Sequence, residues 1–118
     1  MPFSLIKIYP VAGKELIVID VLESLKGPLS ANPDCLDCIV AIDADQSGHI
    51  IYLERWKTFE ALQNHLHTDL FSRVLHALEC SDQPPEVLFS TTEKTFGLEL
   101  VDDVRRSVHA MHKILIQR

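Results

Sequence analysis

The middle of the chain changes its hydrophobic period at Thr58. From Ile50 to Trp56 the residues alternate with a period of two, which is typical of a β-strand. Alternation places on one face of this strand Ile50, Tyr52, Glu54 and Trp56. From Phe59 onward apolar residues recur at helical spacing, and the Thr58 side chain is suited to cap the helix start. The sequence therefore predicts a strand that leads directly into a helix, with the Glu54 carboxyl between two aromatic rings.

The helix that follows is predicted to break near His67, Thr68 and Asp69. Its apolar residues form two stripes that differ in direction by roughly a quarter turn. The first stripe consists of Phe59, Leu62, Leu66 and Leu70, and the second of Phe71, Val74, Leu75 and Leu78. A straight helix cannot bury both stripes against one sheet, so we expect Thr68 to cap a second helix. His65 flanks the first stripe.

The remaining segments complete an α+β pattern. We expect strands at Phe3–Tyr9, Cys35–Ala44 and Glu86–Thr95, a helix at Lys14–Leu25, and a C-terminal helix from Leu100. Gly27 and Pro28 are expected to end the first helix, and residues 45–48 to form a hairpin loop. The order β, α, β, β, α, β predicts a ferredoxin-like fold, which is a four-stranded antiparallel sheet with helices on one face.

Several strands are apolar on both sides, which leaves one face of the sheet without a cover. We assign to one face Ile6, Ile8, Ile39, Ala41, Ile51 and Leu53. We assign to the other face Leu36, Cys38, Val40, Ile42, Tyr52 and Trp56. Because no further layer exists in the chain, we predict a homodimer formed through the sheet faces.

The length of the chain limits the number of domains, and its net charge limits the kinds of partner. A chain of 118 residues suits a single domain, with a core at about residues 3–96 and a C-terminal helical extension at about residues 97–116. The formal net charge of −6, with scattered lysines and arginines, argues against nucleic acid and anionic membranes as partners. No apolar run approaches the roughly 20 residues of a membrane span, and no secretion signal is evident. We therefore expect a cytoplasmic protein.

The cysteines and histidines do not predict a metal site. The three cysteines are an odd number, and Cys35 and Cys38 form a CxxC motif. In a regular strand residues three apart point to opposite faces, so this pair is not expected to chelate a metal or form a disulfide. His109 and His112 lie three apart on the predicted C-terminal helix, but no third ligand is apparent nearby.

A spaced set of residues around the strand and the broken helix resembles the antibiotic biosynthesis monooxygenase family. The recurring pattern of that family is Glu-x-Trp, a short acidic helix start, a His, and a Phe after a break. The matching residues here are Glu54, Trp56, Glu60, His65 and Phe71. The resemblance covers roughly residues 3–96, although the chain has Pro33-Asp34-Cys35 where the family usually has Pro-Gly-Cys. It implies a small dimeric α+β barrel.

The resemblance also implies an activity. Members of the family include oxygenases that oxidise phenols, anthrones or hydroquinones with dioxygen and without metal, flavin or haem. It therefore implies a cofactor-free monooxygenase for a small aromatic substrate, with His65 and Glu54 as catalytic residues. Tyr52, Trp56 and Phe71 are the expected substrate-binding residues, since their rings can stack on an aromatic substrate.

Other interpretations stay open. Trp56 is also typical of a core residue, and Glu54 can satisfy backbone groups or a cation without any catalytic role. Related barrels bind or isomerise small ligands, so a dimeric binding protein or isomerase is the alternative function. Haem degradation is disfavoured, because the first strand contains no Asn and Leu75 stands where the iron-ligating His of that branch would lie.

Overall fold

The sheet has four antiparallel strands in the order β2-β3-β1-β4. This computed structural model describes residues 1–45 and 48–106. The elements are β1 (Pro2–Ile8), α1 (Glu15–Glu23), α2 (Lys26–Ser30), β2 (Cys35–Ile42), β3 (Ile50–Trp56), α3 (Phe59–Leu66), α4 (Asp69–Glu79) and β4 (Glu86–Thr91). A further helix, α5, begins at residue 99 and continues to residue 106, where the described part of the chain ends. The fold is the predicted α+β ferredoxin-like arrangement with an extra C-terminal helix.

The transition from β3 to the broken helix follows the prediction closely. The Thr58 hydroxyl oxygen accepts from the Ala61 N–H at 3.1 Å and so caps α3. The chain breaks after α3, and the Thr68 hydroxyl oxygen accepts from the Phe71 N–H at 3.3 Å to cap α4. Both predicted caps and the predicted break are therefore confirmed. The break lets each helix turn part of its own stripe inward, so that Leu62 of the first stripe and Phe71 and Val74 of the second are buried. Phe59 and Leu75 remain about half exposed.

The first helical region differs from the prediction at its end. We expected Gly27 and Pro28 to stop the helix, whereas both lie inside the short helix α2, which follows α1 after a two-residue interruption. Pro28 is tolerated because it lies in the first turn of α2, where a backbone N–H has no helical partner. Two predicted strands are also shorter than expected, since β2 ends at Ile42 and β4 at Thr91.

The register of the strands corrects the predicted faces. Ile6 pairs with Tyr52, and Ile8 pairs with Ile50, and partners in an antiparallel pair project from the same face. Ile6 and Ile8 are fully buried under the helices. Our assignment of these two residues to the face of Ile39 was therefore wrong, because alternation groups residues within a strand but does not give the register between strands.

Strand β2 contains an irregularity that also overturns a prediction. Its register shifts between Cys35 and Asp37, so that Cys35 lies opposite Trp56 and Cys38 lies opposite Glu54. One extra residue in a strand reverses the alternation beyond it. Cys35 and Cys38 therefore share the helix-facing side of the sheet, contrary to the prediction that they point to opposite faces. Both are free thiols.

The core lies between the sheet and helices α1 to α4. Its fully buried members include large side chains from β1, β3 and every one of these helices: Ile6, Ile8, Val18, Leu22, Leu29, Ile50, Tyr52, Trp56, Leu62 and Val74. A buried Leu or Ile side chain contributes about 1.5–3 kcal/mol relative to an exposed one. The core therefore holds β3 firmly against α3 and α4, which carry the candidate site.

Within residues 1–45 and 48–106, no helix covers the opposite side of the sheet, which we call the outer face. Its apolar side chains are Phe3, Leu5, Ile39, Ala41, Ile51, Leu53 and Leu88. Ile39 and Leu88 are about half exposed. An ion pair between Arg55 and Asp37, with 2.6 Å between Nε and Oδ2, lies near one end of the same face. The outer face is thus a largely apolar surface with a polar edge.

The C-terminal part projects from the body of the fold. Every residue from Thr91 to residue 106 is exposed. The large apolar side chains exposed in this part are Phe96, Leu98, Leu100, Val101 and Val104. His109 and His112 lie outside the described residues. Among the helices that the structure describes, none combines the length and apolarity needed to cross a membrane.

Candidate functional site

A buried carboxylate organises the candidate site. Glu54 projects from β3 into the core and has no exposed surface. Its Oε2 accepts a hydrogen bond from the Tyr52 hydroxyl at 2.5 Å, and its Oε1 accepts one from the Trp56 indole N–H at 3.1 Å. Burying a charged group is costly unless it is paired and hydrogen-bonded, and these donors offset that cost. Alternation along β3 brings all three side chains to one face.

His65 completes the group from the last turn of α3. Its Nε2 lies 3.0 Å from Glu54 Oε2, and both side chains are almost completely buried. A carboxylate only accepts hydrogen bonds, so Nε2 carries the proton and donates it to Glu54. This assignment leaves Nδ1 as the nitrogen with a lone pair. Within the described residues Nδ1 makes no hydrogen bond.

Aromatic rings enclose the imidazole. The Trp56 ring lies 4.7 Å from the His65 ring with an angle of 32° between their planes. The Phe71 ring meets the imidazole edge-on, with 5.5 Å between centroids and an angle of 79°. These contacts hold the ring plane of His65. The structure thus brings together all five residues that the sequence singled out: Tyr52, Glu54, Trp56, His65 and Phe71.

A cleft of about 270 Å³ lies beside His65, between α2 and the α3–α4 break. Its walls consist of Pro28, Leu29, Asn32, Asp34, Ala61, Asn64, His65, Thr68 and Leu70. The lining is mixed, with apolar side chains from the helices and amide or carboxyl groups from the loop before β2. Of the five predicted site residues, His65 alone lines this cleft. Tyr52 and Trp56 are fully buried behind it.

A second cleft, of about 330 Å³, lies on the other side of α2. It is lined by Lys26, Leu29, Ser30, Cys35, Leu36, Asp37 and Cys38. Leu29 belongs to both walls, so the two clefts flank the same short helix. Burial raises the pKa of Cys35 to about 11, and burial likewise raises the pKa of Cys38. Both thiols are therefore protonated at neutral pH.

Tyr52 is the group whose ionisation the site disfavours most clearly. Burial raises the pKa of its hydroxyl well above the usual value of 10.0, and the negative charge of Glu54 raises it further. Tyr52 therefore stays protonated and acts as a hydrogen-bond donor to Glu54. It does not serve as a base.

Two polar side chains that project into the core beside Tyr52 and Glu54 were not among the predicted site residues. Cys38 Sγ lies 3.4 Å from the Tyr52 hydroxyl oxygen, and Ser4 is buried opposite Glu54 in the β1–β3 register. The Ser4 hydroxyl has no hydrogen-bond partner within the described residues. Alternation along β1 put Ser4 on the side of Ile6, but which side of the sheet this is, and which residue of β3 lies opposite, required the register. Alternation correctly put Cys38 on the face of Tyr52 and Trp56, but its position beside the Tyr52 hydroxyl required the β2–β3 register.

One group of metal-ligand type lies elsewhere in the described residues. Atoms of Asp43, Asp45 and His49, at the β2–β3 connection, lie within 4.8 Å of one another. This connection is at the opposite end of β3 from Trp56, and the group is not part of the Glu54 site. Exposed acidic groups of this kind are common without an ion.

Comparison with known proteins agrees on the family and the fold. The family model described as antibiotic biosynthesis monooxygenase matches residues 1–77. A crystal structure of an antibiotic biosynthesis monooxygenase is 21% identical, covers 80% of this chain and 100% of its own, and superposes with a TM-score of 0.68. Identity this low establishes similarity of fold alone.

Two further solved structures resemble this chain with comparable sequence identity, coverage and TM-score. A protein of Mycobacterium tuberculosis is 18% identical, covers 82% of this chain and 100% of its own, and has a TM-score of 0.70. A protein of Pseudomonas aeruginosa is 24% identical, covers 79% of this chain and 95% of its own, and has a TM-score of 0.65. No curated protein matches the sequence significantly.

Proposed function

Because the chain belongs to the antibiotic biosynthesis monooxygenase family, we propose that it is a cofactor-independent monooxygenase that oxidises a small aromatic quinol or phenol. The observation that carries this proposal is the pair of Glu54 and His65. The two side chains are buried, they are joined by a 3.0 Å contact, and His65 lines a cleft. A buried carboxylate that orients an imidazole is a recurrent arrangement for proton abstraction.

Proton abstraction is the step that this pair would perform. The lone pair on His65 Nδ1 takes the proton of the substrate hydroxyl, and Glu54 stabilises the resulting imidazolium through the Nε2–H bond. The phenolate that forms is electron-rich and reduces dioxygen itself. The oxidised ring carbon exchanges its hydrogen for one oxygen atom, which becomes a carbonyl, and the second oxygen atom leaves as water with that hydrogen and the hydroxyl proton that His65 removed.

The neighbouring side chains have supporting roles in this proposal. Tyr52 and Trp56 donate to Glu54 and so keep its oxygens directed at His65. Phe71 fixes the ring plane of His65 from the edge. Because Tyr52 and Trp56 lie behind His65, their contribution to substrate binding is indirect, through the imidazole that they hold. The direct contacts come from the cleft walls, where Leu29 and Asn64 offer an apolar and a polar surface.

The size of the cleft restricts the substrate. Ligand sites in proteins usually span about 300–1,000 Å³, and the cleft beside His65 has about 270 Å³. This volume favours a substrate of a few fused rings at most. Dioxygen and this small aromatic molecule are the proposed reactants. The proposed protein partner is a second copy of the chain, bound through the outer face of the sheet.

The test is oxygen uptake by metal-free protein with a panel of reduced naphthoquinols and anthrones. His65→Gln is the informative variant, because the glutamine amide can still donate to Glu54 but cannot accept a proton. We expect the substitution to lower the rate by about 10² or more, which is the usual contribution of a general base. His76→Gln is the matched control, since His76 is an exposed histidine of α4, and its rate should equal that of the wild type. A His65→Gln rate equal to wild type would remove His65 from the mechanism.

The composition of the cleft favours a second candidate, a dimeric small-ligand-binding protein or isomerase. The cleft is open to solvent and lined partly by Asn32, Asp34 and Asn64, whereas an oxygenase of electron-rich phenols benefits from a dry apolar site. The single tryptophan, Trp56, contacts His65 and reports on the site by its fluorescence. Absence of oxygen uptake, together with a saturable fluorescence change on adding the same quinols, would support this candidate over the oxygenase.

A further inference from the structure

Cys38 belongs to the hydrogen-bond network of the buried carboxylate. Its side chain projects from the helix-facing side of β2, where Cys38 lies opposite Glu54, and its Sγ lies 3.4 Å from the Tyr52 hydroxyl oxygen. Tyr52 has one hydroxyl proton, which it donates to Glu54. The thiol of Cys38 must therefore be the donor in its contact with Tyr52. This direction agrees with a thiol that is protonated at neutral pH.

The contacts form a chain whose two arms converge on one carboxylate oxygen. Cys38 donates to Tyr52, Tyr52 donates to Glu54 over 2.5 Å, and His65 donates to the same Glu54 oxygen over 3.0 Å. The chain begins in the cleft of about 330 Å³ that Cys38 lines and ends in the cleft of about 270 Å³ that His65 lines. Two surface clefts on either side of α2 are thus connected through the core.

We propose that Cys38 is a positioning residue for His65. Its thiol proton holds the Tyr52 hydroxyl in the orientation that aims at Glu54 Oε2, the same oxygen that accepts from His65. A hydroxyl that accepts a hydrogen bond donates a stronger one, so loss of the thiol donor weakens the bond by which Tyr52 fixes the Glu54 carboxylate, and the alignment of Glu54 with His65 is loosened. The inference rests on the proposed role of His65 as proton acceptor, but the state of the imidazole is measurable without any substrate.

Cys35 provides a matched control. It lies on the same strand, faces the same side and lines the same cleft as Cys38. Its thiol donates to the backbone carbonyl of Asp37 at 3.4 Å and, within the described residues, makes no hydrogen bond to Tyr52, Glu54 or His65. Substitution of either cysteine by alanine removes a half-buried thiol of equal size. A purely structural effect is therefore expected to be similar for both.

The experiment compares four proteins: wild type, Cys38→Ala, Cys38→Ser and Cys35→Ala. The ¹⁵N NMR signals of the His65 ring report its tautomer, and the exchange rate of the Nε2–H proton reports the bond to Glu54. We expect Cys38→Ala to move the ring toward a mixture of tautomers and to speed exchange by about two- to tenfold, the range for one lost hydrogen bond. Cys38→Ser keeps a donor and should restore both signals, and Cys35→Ala should match the wild type.

Oxygen uptake with the same proteins extends the test to catalysis. Cys38→Ala should lower kcat by a similar factor and leave KM unchanged, because the cleft beside His65 is intact. The inference is overturned if Cys38→Ala leaves the His65 signals unchanged, if Cys35→Ala alters them equally, or if serine fails to restore them. If the wild type consumes no oxygen, the proposed oxygenase function fails, while the NMR signals still decide whether Cys38 positions His65.

Discussion

Three donors surround the carboxylate of Glu54, and this explains how a charged residue is retained in the core of so small a protein. The hydroxyl of Tyr52, the indole of Trp56 and the imidazole of His65 each direct a hydrogen atom at it. A hydrogen bond to a charged group contributes about 1.5–3 kcal/mol. Removing a partner of such a buried group leaves the others unsatisfied, which is the more costly change. The stability of the core and the proposed chemistry therefore depend on the same three hydrogen bonds to Glu54.

The two tyrosines are expected to ionise at different stages of alkaline titration. Tyr9 is only partly buried, and its pKa is raised by desolvation and by its bond to Glu86. The pKa of Tyr52 is raised further, by burial and by the charge of Glu54. We therefore expect tyrosinate absorbance to rise with half of its full amplitude while the protein is folded. The second half of the absorbance, which belongs to Tyr52, should appear only as the protein unfolds.

The same difference predicts how stability depends on pH. The pKa of Tyr52 in the folded protein lies above its value of about 10 in the unfolded chain. The folded state then binds more protons, so its stability is complete below about pH 10 and falls as the pH rises further. Tyr52→Phe should remove the second absorbance step and flatten this alkaline loss. Ionisation of both tyrosines while circular dichroism still shows the native fold would contradict the assignment.

The break between α3 and α4 fixes the position of His65. Thr68 stands at this break, where its hydroxyl donates to the His65 carbonyl at 2.6 Å and accepts from the Phe71 N–H. The same residue therefore ends one helix, begins the next and holds the backbone of His65. A continuous helix would rotate Phe71 away from the imidazole, because the two apolar stripes differ by roughly a quarter turn.

Thr68→Ala is expected to affect both stability and activity. Loss of an N-cap costs about 1 kcal/mol, and the His65 backbone loses one of its hydrogen bonds at the same time. Thr58→Ala is the matched control, because Thr58 caps α3 through Ala61 and does not contact His65. Urea unfolding should show a similar decrease in the free energy of unfolding for both variants. Oxygen uptake should fall in Thr68→Ala alone, and an equal fall in Thr58→Ala would contradict a specific role for the break.

At the scale of the whole molecule, the outer face is an apolar surface that the described chain does not cover. The central strands contribute Leu5 and Leu53 to it, and the flanking strands contribute Leu88 and Ile39. Large contiguous apolar patches of this kind mark interaction sites in soluble proteins. Packing two copies face to face would bury this surface in both at once, which supports the proposed homodimer.

Ile39→Glu is expected to dissociate the proposed dimer. Ile39 lies on the outer face with 47% of its surface exposed, and a buried unpaired carboxylate there is strongly unfavourable. The matched control is Leu75→Glu, because Leu75 has 48% of its surface exposed but lies on α4, on the helical side. Light scattering at micromolar concentration should give a monomer for Ile39→Glu and a dimer for the control. A monomeric wild type would contradict the proposed assembly.

Local patterns in the sequence determined the elements and most of the site. Periodicity and capping residues depend on neighbours within a few positions, so the strand–helix junction at Thr58, the break at Thr68 and the shared face of Tyr52, Glu54 and Trp56 were all predictable. The family resemblance added His65 and Phe71 to that set. These residues are brought together because one strand and the helices that follow it are adjacent in both sequence and space.

Tertiary structure alone decided what depends on long-range register. The pairing of Ile6 with Tyr52 and the placement of Ser4 opposite Glu54 require the alignment of β1 with β3, two strands distant in sequence, and the contact of Cys38 with Tyr52 requires the register of the β2–β3 hairpin. A single extra residue reverses the alternation on one side of it, and the extra residue at Leu36 did this for Cys35. The geometry of the clefts likewise follows from how α2 packs on the sheet. Alternation within one strand contains no information on its neighbours, and this is why the sequence predicted the site residues but not the chain of contacts that links Cys38 to His65.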